Sequence, residues 1–240
     1  MQGTSQTYKT LLAAGAAKEV QAIINDDTQH PYTQEQIVSA TIRAAMLKTD
    51  LAAGNCIAKE LVLVITNFDG FPDIPRMAKI QMEFRLNDGT TQSEWYPKGT
   101  YYIDTRDTSY AGVLTITAYD SMLLLETPFC TEGEQGDWPI QDWDVVREIR
   151  DRAGITLDSS AGRTIINHYD VQYPGFGEGA MTMRDVLGYI GSMYGGNWVI
   201  TDDNKLRIIV LGDIPNIDTS YLINSYGSYI TFGGYRINVG

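Results

Sequence analysis

The chain has 240 residues and a formal net charge of −12, with 43% hydrophobic and 20% charged residues. This suits one large or two ordinary folded domains, excludes a disordered chain, and disfavours direct binding to nucleic-acid phosphates, which needs a basic face. The two cysteines, Cys56 and Cys130, lie far apart and read as ordinary reduced thiols. No run reaches the roughly 18 apolar residues of a membrane span. Residues 11–17 are short, small and followed by Lys18-Glu19, a poor signal peptide, so a product assembled in the cytoplasm is expected.

In chain order, residues 1–7 are polar, and residues 8–17 suit a short helix or a loop around Gly15. Residues 20–24 read as a strand and residues 25–28 as a turn. Residues 37–46, IVSATIRAAM, start with strand alternation and end Ala-rich, leaving helix and strand both open. Residues 56–66, CIAKELVLVIT, read as one strand with an apolar centre, and residues 67–75 as a loop.

Residues 78–86, AKIQMEFRL, alternate clearly: Ile80, Met82, Phe84 and Leu86 share one face. Asn87-Asp88-Gly89 supplies a hairpin turn. The next strand, residues 91–96, is expected to stop at Pro97. Residues 100–104 and 113–119 are rich in β-branched and aromatic residues and read as two strands, joined by a polar segment, residues 105–112. Asp120-Ser121 then starts a short helical turn over residues 122–126. The result is an antiparallel meander, whose exposed edges barrel closure would remove.

Residues 127–139 are polar and turn-rich, a linker candidate. Residues 142–153 form an amphipathic helix on the spacing of Trp143, Val146, Ile149 and Ala153, with Gly154 as C-terminal cap. Residues 155–157 and 163–171 read as strands, and PGFGEG at 174–179 as a loop. Thr182 with Asp185 fits a capping box for a helix running to Tyr194, with Met183, Val186, Leu187 and Ile190 on one face. Gly195-Gly196 ends it, and residues 197–200 and 206–211 form a hairpin around Asp202-Asp203-Asn204.

These words in this order resemble the tail and baseplate-hub proteins of phages and prophages. The resemblance rests on YYIDTR followed by LTITAYDSMLLLE, on DVVREIRDRAGITLD, on MAKIQMEFRLNDG, and on TMRDVLGYIGSMYGGNWVITDDNKLRIIVL. It covers most of residues 8–212, weakens before residue 50 and returns at ITFGGYRI. It tips residues 37–46 to a strand. The family-motif positions are Ile103, Asp104, Thr105, Arg106, Ala118, Tyr119, Asp120, Gly196, Asn197 and Trp198.

The resemblance implies an α+β, mostly β fold of two antiparallel β-barrel-like domains with inserted short helices. The boundaries are residues 1–125 and 126–240, with residues 206–240 able to return to the first barrel. It implies a homotrimeric ring in the virion tail that joins tail tube to spike or fibre, enclosing the DNA channel. Expected partners are further copies and neighbouring tail proteins: tube, distal tail, and spike or fibre. No cofactor, metal, membrane anchor or specific nucleic-acid contact is expected. Family members usually run on into a further domain, so this chain is expected to be an N-terminal part or a short member. The Tyr-rich segment holding Tyr221, Tyr226, Tyr229, Phe232 and Tyr235 is a candidate interface strip.

Catalytic readings are weak. Asp104, Asp107 and Asp120 would need to face each other across a cleft for glycoside hydrolysis, and each instead sits at a strand end beside Thr or Ser. His30 and His168 show no zinc-ligand spacing. Asp202-Asp203-Asn204 lacks the remaining ligands of a calcium loop, and GFGEG lacks a P-loop lysine. Two alternative functions remain. One is the non-catalytic base of a tail-associated peptidase or cell-wall hydrolase. The other is a receptor- or carbohydrate-binding module using Trp95, Tyr96, Tyr101 and Tyr102 as an aromatic platform.

Overall fold

The computed structural model describes residues 4–44, 53–67, 71, 74–130, 132–210, 231–232 and 235–236. The elements, in order, are α1 (Gln6–Ala13), β1 (Ala17–Ile24), β2 (Tyr32–Thr33), β3 (Ile37–Ala44), β4 (Cys56–Ile57), β5 (Lys59–Thr66), β6 (Lys79–Asn87), β7 (Tyr96–Tyr110) and β8 (Val113–Asp120). A 3₁₀ helix (Ser121–Glu126), a second one (Glu134–Asp137), β9 (Ile140–Gln141), α2 (Asp142–Ala153), β10 (Thr156–Leu157), α3 (Ala161–Thr164) and β11 (Asp170–Val171) follow. Then come α4 (Met183–Met193), β12 (Gly196–Ile200), β13 (Lys205–Val210) and the small hairpin β14 (Thr231–Phe232) with β15 (Tyr235–Arg236). The fold is mostly β, a large curled antiparallel sheet with a few short helices.

The large sheet has seven strands in the order β2-β1-β6-β7-β8-β5-β3. Period-two alternation builds its core. Leu61, Leu63 and Ile65 of β5, Ile80 and Met82 of β6, and Leu114, Ile116 and Ala118 of β8 are all buried, joined by Tyr101 and Ile103 of β7. Residues 37–44 are strand, as the resemblance indicated.

The second sheet is mixed, in the order β10-β13-β12-β4. β12 and β13 form the expected hairpin, while β10 and β4 add in parallel at its edges. α2 and α4 bury Val145, Val146 and Ile149, and Met183, Val186, Leu187 and Ile190, in a core centred on Trp198. Met122 and Leu125 of the first 3₁₀ helix and Cys56 of β4 belong to this core as well.

Several local readings change. Residues 56–66 are two strands in two different sheets, because Ala58 is where the chain leaves one ladder for the other. Pro97 lies inside β7, tolerated because a bulge there lets Met82 pair with Gly99 and Glu83 with Pro97. Residues 105–110 extend β7 toward a tight turn at Ala111-Gly112, with Thr105, Arg106, Asp107 and Thr108 exposed. Of residues 163–171, only Asp170 and Val171 pair as a strand, and Arg163 lies in α3. The linker candidate is packed: Phe129 and Cys130 are buried in the second core, with Trp138 against them.

Candidate functional site at the joint between the two sheets

Two of the words that carried the resemblance, YYIDTR and LTITAYD, meet across one ladder. In the β7–β8 register Tyr101 pairs with Asp120, Tyr102 with Tyr119 and Ile103 with Ala118. Thr105 then pairs with Thr117, which leaves Asp104 as the extra residue of a bulge. Ile103 and Ala118 face the core, Asp104 meets Arg76 at 3.0 Å, and Thr105 and Arg106 are exposed. The Tyr119 hydroxyl donates to Glu60 at 3.4 Å. Both motif strands therefore meet at Asp120, where the first sheet ends and the second core begins.

Asp120 is 1% exposed. It caps the first 3₁₀ helix: its Oδ1 accepts the Met122 N–H at 3.1 Å, and its Oδ2 accepts the Lys59 N–H at 3.0 Å. The second bond holds the chain where β4 gives way to β5. Burial pushes the Asp120 carboxyl up to about 6, against the pull of these two N–H groups and of the Lys59 and Arg184 charges.

Beside it lies an ion cluster that joins the sheets. Asp202, in the β12–β13 turn, contacts Lys59 Nζ of β5 at 2.6 Å and Lys98 Nζ of β7 at 2.8 Å. Burial alone would raise Asp202, yet the two ammonium groups outweigh it and hold the carboxyl below its usual range. Lys98 reaches across because it is the extra residue of the β7 bulge. Gly99, at φ 131°, makes that bulge possible, and the Tyr101 ring packs directly on it. The Tyr101 hydroxyl donates to the Lys98 carbonyl at 3.0 Å, and burial drives this phenol well above its ordinary range. Ser121 Oγ donates to Asn204 Oδ1 at 2.5 Å, a third tie between the blocks.

A further seam holds β4 on the second sheet. Asn197 Oδ1 accepts the Asn55 N–H at 2.8 Å, the Trp198 N–H donates to the Asn55 carbonyl at 2.8 Å, and the Gly54 N–H donates to the Gly196 carbonyl at 2.8 Å. Arg184 of α4 donates to the Cys56 carbonyl from Nε at 3.1 Å and from Nη2 at 2.6 Å, and pairs with Glu126. The Cys56 thiol donates to the Arg184 carbonyl at 3.3 Å, and burial pushes it up to about 12. Gly191 is needed for close approach: a Cβ there would sit 2.9 Å from the Gly196 carbonyl and 3.2 Å from the Trp198 ring.

The structure gathers Asp120, Gly196, Asn197 and Trp198 at or beside this joint. Asp107 is exposed and pairs through its backbone with Thr115, on the outer part of the β7–β8 ladder, away from Asp120. The aromatic platform does not form, because Tyr101 is fully buried, Tyr96 is 5% exposed, and Trp95 is stacked under Arg85. Asp202 is occupied by lysines, and the Thr182–Asp185 capping box already satisfies the start of α4 beyond the GFGEG loop. Tyr221, Tyr226 and Tyr229 lie outside the described residues, and Phe232 pairs with Tyr235 through the backbone of the small hairpin. Sequence reasoning misses the Lys59–Asp202–Lys98 cluster, whose lysines lie 143 and 104 positions from the shared carboxylate with no local pattern to link them.

No protein-family model matches the chain, and no curated protein matches it. Among solved structures, the 43 kDa tail protein of prophage MuSo2 from Shewanella oneidensis is similar, with a TM-score of 0.54 at 14% identity. The chain has the fold of a prophage tail protein. The alignment covers 81% of this chain and 56% of that one, so the chain spans a little over half the length of the tail protein it matches. In fold, the likeness agrees with what the sequence resemblance implied. Among the described residues no helix is long and apolar enough to cross a membrane.

Proposed function

We propose that this chain is a structural component of a phage or prophage tail, a hub subunit whose copies form a homotrimeric ring between the tail tube and a spike or fibre. The observation that carries this reading is the tail-protein fold over 81% of the chain. The joint supports it mechanically. Its polar groups are spent on holding two β blocks in one relative orientation, which is what a ring under load requires. The acidic balance of 30 Asp and Glu against 18 Lys and Arg suits a wall that DNA passes without sticking. Partners in this reading are other copies and the tube, distal-tail, and spike or fibre proteins, and the work is done by interfaces without a cofactor.

Light scattering on a sizing column over a range of concentrations, followed by electron microscopy of the eluted species, tests this. A trimer seen as a ring with a central channel is expected. A monomer at every concentration, with no ring on the grid, would overturn the hub assignment.

A further inference from the structure

Asp120 is an acid at a place where the chain otherwise buries neutral groups. It is 1% exposed, and Ser121 and Met122 after it are fully buried. Two cations reach it through space, Lys59 of β5 and Arg184 of α4. Both are committed elsewhere: Lys59 Nζ to Asp202 at 2.6 Å, and Arg184 to Glu126 and to the Cys56 carbonyl. Glu60, next to Lys59 on β5, is bonded to the Tyr119 hydroxyl. From β7, Tyr101 faces Asp120 with its hydroxyl given to the Lys98 carbonyl, and Lys98 is turned to Asp202. α2 also packs on the 3₁₀ helix that Asp120 caps; it brings Val145, Val146 and Ile149 to that core and gives its buried Asp142 to the Tyr194 hydroxyl. In the β12–β13 turn, Asp203 is paired with Lys205. Among the described residues no ion pair reaches the Asp120 carboxyl. Ionised there, it has two N–H donors and no cation of its own, a cost that access to water would relieve.

Those two N–H groups sit where the blocks join. The Lys59 N–H marks the crossing from the second sheet to the first, and the Met122 N–H starts the 3₁₀ helix that enters the second core. Both bonds end on one side chain, so one carboxyl can release both. Its neighbours keep their charge states at mild pH: two ammonium groups hold Asp202 below its usual range, and burial drives Tyr101 above its own.

We propose that Asp120 is a proton-operated latch: protonated, it locks the crossing between the two sheets; ionised, it lets the joint open locally, freeing the Lys59 and Met122 N–H groups and admitting water between the two β blocks. The latch acts within one chain and does not depend on ring assembly. The enclosed carboxyl, lifted to about 6 by burial, binds its proton more tightly than a hydrated one at 3.8. The closed joint is therefore most favoured below pH 3.8, and the advantage is lost as pH climbs through about 6.

Hydrogen exchange on the full chain tests this, read as protection factors so that base catalysis of exchange is removed. The Lys59 and Met122 amides should lose protection by about sixtyfold between pH 4 and pH 7.5. Their protection should hardly change in low urea, since a local opening exposes little surface, while the Leu63 and Ile116 amides of the first core fall steadily. Asp120→Asn should flatten the pH trend at both amides to within about twofold. Should that variant fail to fold, the urea comparison and a carbon-13 titration of the Asp120 carboxyl, both on the wild type, keep the latch falsifiable. Protection at Lys59 and Met122 that is level across the pH range, that falls in urea together with Leu63 and Ile116, or that keeps its trend in Asp120→Asn would overturn it. A carboxyl that titrates near 4 in the folded chain would do the same. Each of these results leaves the ring reading standing, because that reading is tested by assembly.

Discussion

Replacing Asp120 by asparagine should convert a pH-dependent joint into a pH-independent one. The carboxyl is raised from 3.8 to about 6 by burial, so the folded protein holds this proton more tightly than the unfolded chain does. Its contribution is therefore most favourable below pH 3.8 and is lost as pH climbs through about 6. The gap corresponds to about 3 kcal/mol. The asparagine side chain does not ionise, so the variant avoids that cost. Its amide offers one oxygen where the carboxylate offers two, leaving either the Lys59 or the Met122 N–H without its acceptor, at about 1–3 kcal/mol at any pH. Urea unfolding followed by tryptophan fluorescence, at steps from pH 4 to pH 7.5, gives the difference between variant and wild type. That difference should move in favour of the variant by about 2.4 kcal/mol across the range, since about a fifth of the change lies below pH 4. The subtraction removes the opposite trend of carboxyls held low in the fold, such as Asp158 beside Arg207 and Asp202 between its two lysines. A difference flat to within about 0.5 kcal/mol would refute the claim that an ionised carboxylate is being held away from water at this joint.

Asp202→Asn removes the shared partner of Lys59 and Lys98; with the cluster partly exposed, the expected loss is about 1 kcal/mol, shrinking in ~0.5 M salt, as salt-titrated melts would show. Gly99→Ala forces a side chain into φ 131° and against the Tyr101 hydroxyl 2.6 Å away, with an expected cost of about 2–4 kcal/mol in thermal denaturation. Asp185→Ala breaks the capping box of α4 and should cost about 1 kcal/mol, with unfolding still cooperative. The Cys56 and Cys130 thiols are buried and should resist a thiol reagent at pH 8 in the native protein, reacting fully in denaturant; fast native labelling would show that the second core opens.

Elements whose determinants are local were legible in the sequence. The alternation of residues 79–87, the Asp-Gly turn, the helix α2 with its left-handed Gly154 cap, the Thr182–Asp185 capping box and the β12–β13 hairpin each depend on residues within a few positions of one another. Asp120 was legible as a helix cap for the same reason. Misreadings fell where a distant partner decides. Pro97 ends a strand by local rules, yet a bulge opposite β6 accommodates it. Residues 105–110 are polar enough for a loop, yet β8 lies alongside and pairs with them.

The sequence by itself determined a folded, acidic, mostly β chain with two amphipathic helices, because composition and periodicity act through burial and φ/ψ preference at short range. Only the tertiary structure decided that one apolar run, residues 56–66, serves two sheets, and that the chain switches between them at Ala58. The reason lies in partners far along the chain. The Lys59 N–H is fixed by a carboxylate 61 positions away, and the Lys59 ammonium by one 143 positions away. No local propensity encodes such pairings, since they exist only once both sheets have formed and excluded the water that would otherwise compete for the same groups.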